Sequence, residues 1–79
     1  MTERKHRRYT ASDGSEWLIE VSLDERYGTW PRARWKRDGD NWIMDGYGSS
    51  GGITDPEEAL DREEEYIEYH RLPRLKAAV

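Results

Sequence analysis

The sequence predicts an α+β fold, a three- or four-stranded antiparallel β-meander with one amphipathic, acidic α-helix packed across one face. Three observations predict it. Residues 16–23 alternate apolar and polar side chains, two Asp-Gly pairs punctuate the first half, and residues 55–68 hold eight carboxylates on a helical repeat. With 79 residues, of which 34% are hydrophobic, the chain reads as a single domain, 1–79, whose core must come from a few large side chains. Four Trp and five Tyr, without any Phe, meet that need. Each buried aromatic removes roughly 150–250 Å² from water.

The elements follow in chain order. Residues 1–7 are polar and basic and read as a flexible tail, after which residues 8–11 pair back across the turn at Asp13-Gly14 as a frayed edge strand. In residues 16–23, Trp17, Ile19, Val21 and Leu23 share one side and Leu18, Glu20 and Ser22 the other. A second turn at Asp38-Gly39 joins residues 30–37 to residues 41–47. A two-residue hairpin there sets Trp35 opposite Trp42 and Ala33 opposite Met44 on one face, with Arg34 opposite Ile43 and Arg32 opposite Asp45 on the other. One face is apolar and the other basic. Pro31 gives no ladder donor, so this strand begins late or lies at an edge. The loop at residues 24–29 leaves open how the first long strand faces the hairpin.

Glycine and serine at residues 48–52 end the sheet, and the helix begins after them. Thr54 with Glu57 forms a capping box, and Pro56 in the first turn needs no helical donor. Pro73 cannot continue the ladder, so the helix should end near Arg71 and leave residues 74–79 loose. At 100° per residue, Pro56, Ala59, Leu60, Tyr66, Ile67 and His70 share the buried arc, whereas Glu57, Glu58, Asp61, Glu64, Glu65 and Glu68 span roughly 120° of another. Glu63 falls within the apolar arc. An unpaired carboxylate there is costly, so it should escape at the rim or meet an Arg, a Trp indole or a Tyr hydroxyl.

Charge is segregated. Residues 1–8 carry +3, residues 30–37 carry +4, residues 55–68 carry −7 and residues 69–79 carry +3, on a chain whose overall charge is −4. Six carboxylates over one face of the helix give about one charge per 3 Å, close to the roughly 3.4 Å per phosphate along one DNA strand. A glutamate-rich helix is also simply a well-hydrated one, and the helix dipole accounts for Asp55, Glu57 and Glu58. Asp61, Glu64, Glu65 and Glu68 lie beyond its reach. The partner-binding set is therefore Glu57, Asp61, Glu64, Glu65 and Glu68, with Trp30, Tyr47 and Tyr69 as aromatic anchors. In the alternative reading, Arg32, Arg34, Lys36 and Arg37 grip nucleic-acid phosphates, although a pI near 5.1 weighs against direct binding.

Little in the sequence encodes a reaction. His6 lies in the basic tail, His70 on the buried helical arc, and the glycine loop before the helix lacks a Gly-Lys-Ser/Thr ending. No enzyme activity, cofactor or metal is expected. There is no cysteine, which leaves the redox compartment open, and no apolar run approaches the roughly 20 residues of a membrane span; a monomer or weak dimer in the cytoplasm of a host cell is the default expectation.

Thr54-Asp55-Pro56-Glu57-Glu58-Ala59-Leu60, after a glycine-closed strand, resembles the Thr-x-x-Glu-Ala-Leu helix start of HicB-type antitoxins, without the DNA-binding segment those proteins usually add. As a class, a short, cysteine-free, acidic domain of strands plus a carboxylate-rich helix is similar to phage-encoded anti-CRISPR proteins. That second resemblance implies an inhibitor that docks on the basic DNA-binding path of a CRISPR effector complex and blocks target DNA. No residue transfers by motif, and the helix acids enter on charge alone.

Overall fold

The computed structural model describes residues 3–49 and 51–77. Four strands, β1 (Arg4–Thr10), β2 (Glu16–Ser22), β3 (Arg32–Asp38) and β4 (Asn41–Gly48), form an antiparallel sheet in the order β1-β2-β3-β4. Helix α1 (Pro56–Tyr66) crosses one face and continues through a π-helical turn (Ile67–Arg71) into α2 (Leu72–Ala77). The architecture is the expected α+β meander with one long acidic helix.

The alternation in β2 sets the core. Trp17, Ile19 and Val21 are fully buried beneath Ala59, Leu60 and Ile67 of the helical segment, and Trp30 closes one end. Trp30 was expected at the surface as an anchor. Instead it is 5% exposed, and its backbone N–H donates to the Ile53 carbonyl at 3.1 Å, because the segment leading to the helix folds over it.

Several local expectations need correction. Strand β1 begins at Arg4 rather than Arg8, so Arg4 to Arg7 pair with β2 instead of forming part of a loose tail. The second hairpin turns at Gly39-Asp40, one residue later than predicted, with Gly39 at φ +61°. Positive φ at the first loop position alone fits a II′-type turn. Partners consequently shift by two residues: Trp35 faces Met44, Lys36 faces Ile43 and Arg37 faces Trp42. A bulge at Asp45 then sets Arg34 opposite Gly46 and Arg32 opposite Gly48.

The β2–β3 register decides which face is covered. Arg34 pairs with Ile19 and Arg32 with Val21, so the basic side of β3 lies under the helix rather than on the open face. In α1 the N-cap is Asp55, not Thr54; its side chain accepts from the Glu57 N–H at 3.1 Å, and Pro56 follows at the first helical position.

Pro73 does not stop the helix. The chain switches to wider hydrogen bonding just before it, with the Leu72 N–H reaching the Ile67 carbonyl five residues back. The same switch rotates the succeeding residues by roughly a quarter turn relative to an α-helix. His70, predicted to be buried, is exposed against the Tyr66 ring at 5.0 Å, and Arg71 takes the inward direction.

Candidate interaction surfaces

Between helix and sheet lies a network of charged side chains. Glu63 is 0% exposed; Arg34 Nη1 donates to its Oε1 at 3.0 Å, and Arg32 Nε lies 2.8 Å from its Oε2. Arg34 Nε also donates to Asp45 Oδ2 at 2.6 Å, and the Tyr66 ring centroid lies 4.7 Å from the Arg34 guanidinium. Arg71 closes the network with bonds of 2.8 and 2.9 Å to the two Asp45 oxygens. Burial pushes the Asp45 carboxyl up, but the hydrogen bonds from Arg71 and Arg34 outweigh it and hold the group below the usual carboxylate range. Two glycines make room. A Cβ on Gly46 would stand 2.8 Å from Arg34 Nη2, and one on Gly48 would stand 3.0 Å from both Arg32 Nε and Glu63 Oε2.

The helix acids gather along the β1 side. Arg7 Nη1 donates to Asp61 at 2.6 Å and to Glu64 at 2.8 Å, and its Nη2 donates to Glu57 at 2.8 Å. Lys5 adds a looser contact to Glu57 at 3.9 Å. Glu68 accepts from the Ser12 hydroxyl and N–H and from the Tyr9 hydroxyl at 2.6, 2.7 and 2.6 Å, and these bonds hold its carboxyl below the usual range. Four of the five predicted partner-binding acids therefore already have partners inside the molecule. Only Glu65 points to solvent without a recorded ion pair, while Glu58 meets Arg62 at 3.5 Å. Outside the buried Glu63, seven acids of residues 55–68 stand against Lys5, Arg7 and Arg62, leaving a formal −4 on this ridge. Tyr69, 74% exposed, borders a shallow groove shared with Asp61, Glu64, Glu65 and Glu68.

The other side of the sheet is uncovered. Leu18, Trp35 and Met44 form one row across it, with Arg37 and Trp42 alongside and Tyr47 at 75% exposure. The Arg8 guanidinium lies over the Trp42 ring at 5.2 Å, and Arg37 approaches the same ring at 6.0 Å. The two β2 acids on this face are paired, Glu16 with Arg37 at 2.7 Å and Glu20 with His6 at 2.7 Å.

The structure thus joins the predicted acids into one ridge and leaves Tyr69 beside it. Tyr47 lies on the opposite face, and Trp30 is interior. Of the alternative phosphate-binding set, Arg32 and Arg34 serve the buried network, Lys36 shares their face, and Arg37 is paired on the other. Sequence reasoning missed Arg7, Gly46 and Gly48. Glycines at alternate positions in a strand signal close approach by another group, which is the signal that could have located the two arginine side chains.

Among the described residues no group of three acidic or histidine side chains is placed to hold a metal ion, and no helix is long and apolar enough to cross a membrane. Comparison with protein-family models, curated proteins and solved structures finds no match.

Proposed function

We propose that the protein is a non-enzymatic, stoichiometric inhibitor that docks its acidic helix ridge on a cationic nucleic-acid-binding surface of another protein, in the manner of the anti-CRISPR proteins it resembles. The observation that carries this reading is the residual −4 on a single helical ridge after every recorded internal cation is counted. Arg7 reduces the charge but also fixes Glu57, Asp61 and Glu64 in a row, and Glu57 and Asp61 remain more than half exposed. Such a ridge speeds encounter and sets orientation more than it adds affinity. Tyr69 is the adjoining aromatic anchor.

The internal bonds dictate which variant tests the idea. Reversing Glu64 or Glu68 would disturb the fold, whereas Glu58 and Glu65 have no partner beyond Arg62. Glu58→Lys with Glu65→Lys brings the ridge from −4 to 0. The wild-type protein should displace labelled target DNA from a purified CRISPR effector complex, and the double variant should lose that competition. Equal competition by both proteins would remove the acidic ridge from the mechanism.

A further inference from the structure

We infer that the uncovered face of the sheet is a second, separate binding surface that takes a short stretch of single-stranded nucleic acid. It stands apart from the helix ridge, since the two lie on opposite sides of the sheet. Three observations choose this occupant. First, the face presents Trp35, Trp42 and Tyr47 across neighbouring strands, and aromatic rings on a sheet are platforms on which successive bases stack whatever their sequence.

Second, its charge suits phosphate. Strand residues Arg4, Arg8 and Arg37 face outward here against Glu16 and Glu20 alone, and all the helix acids are held on the other side of the sheet. Arg8 has no recorded carboxylate partner and lies over Trp42, so a base arriving on that ring displaces the guanidinium toward the backbone it brings. Third, the face is small. Four strands of seven or eight residues, about 4.8 Å apart with about 3.3 Å per residue, cover a footprint of only about 450 Å². A sheet of this size accommodates two or three stacked bases.

The test uses the full chain and labelled 12-nucleotide oligonucleotides, single-stranded DNA and RNA and one duplex, at low and moderate salt. Binding should be saturable by anisotropy and should quench tryptophan fluorescence. With Arg4 and Arg8 on two phosphates, log K should fall with log salt at a slope of about −1.4. Trp42→Ala should weaken binding about tenfold, as loss of one stacked base does, with Arg8→Ala giving a smaller loss at unchanged thermal melt and Tyr69→Ala, on the ridge, giving none. Absence of quenching at low salt would overturn the proposal. So would equal affinity for the duplex, or sedimentation showing that the wild-type chain buries Trp42 by pairing with itself.

Discussion

The molecule contains two ion clusters built from the same residue types, one on each side of the helix, and they differ in what surrounds them. Around Arg7, the carboxylates of Glu57, Asp61 and Glu64 remain in contact with water. Around Glu63, two guanidiniums converge on a carboxylate that water does not reach. Exposed pairs contribute about 0–1 kcal/mol each, because solvent screens them and their side chains lose freedom. A buried pair adds little net stability, yet breaking it leaves an uncompensated charge that costs about 3–5 kcal/mol. The inner cluster is therefore the one that fixes how the helix sits on the sheet, and the outer one is free to serve encounter.

That contrast can be broken first at Glu63. Glu63→Ala leaves Arg32 without its carboxylate and Arg34 with Asp45 alone, and should cost about 3–5 kcal/mol, a fall of at least about 15 °C in thermal melting for a domain this size. A fall of only a few degrees would mean that the inner cluster is as dispensable as a surface pair. Arg7→Ala comes next. It frees three acids that then repel one another, and a loss of about 1–2 kcal/mol should be seen, shrinking in 0.5 M salt as screening takes over. An unchanged penalty in high salt would place Arg7 with the inner set.

Acid sharpens the comparison further. The folded Asp45 carboxyl lies below its unfolded value of about 3.9, so its contribution is complete above that pH and is lost as pH falls through the folded pKa. Melts from pH 7 to pH 2 should show Asp45→Asn less stable than wild type at neutral pH but with a shallower decline below pH 4. Parallel curves would show that Asp45 does not govern acid unfolding. The smallest effect belongs to the Glu58→Lys, Glu65→Lys variant, which loses a first-turn acid and the Glu58–Arg62 pair and should melt within about 1 kcal/mol of wild type.

The sequence was legible where periodicity is local. Alternation through Trp17, Ile19 and Val21, and the helix start at Asp55-Pro56, needed no distant information. Facing was harder to read, because it depends on turn length. A loop spanning residues 11–15 pairs Thr10 with Glu16, and this parity points Arg7 and Tyr9 toward the helix. A strict two-residue turn at Asp13-Gly14 would have turned both outward. The same single-residue sensitivity, now at Asp38 to Asp40 and at the Asp45 bulge, moved the partners of Arg32 and Arg34. As a result the ridge was visible as a charge pattern, but its anchoring to Arg7 and Ser12 was not. The helical wheel failed only beyond Tyr66, where a wider turn broke its constant 100° step.

That wider turn also selects the chemistry of the helix's last grip on the sheet. An unbroken spiral would have turned His70 inward, and an imidazole cannot offer a carboxylate the paired, parallel bonds of a guanidinium. The π turn delivers a guanidinium instead, which stays protonated at any physiological pH. The clasp between Arg71 and Asp45 is thereby insulated from mild acidification, and only strong acid, acting on the aspartate, can open it.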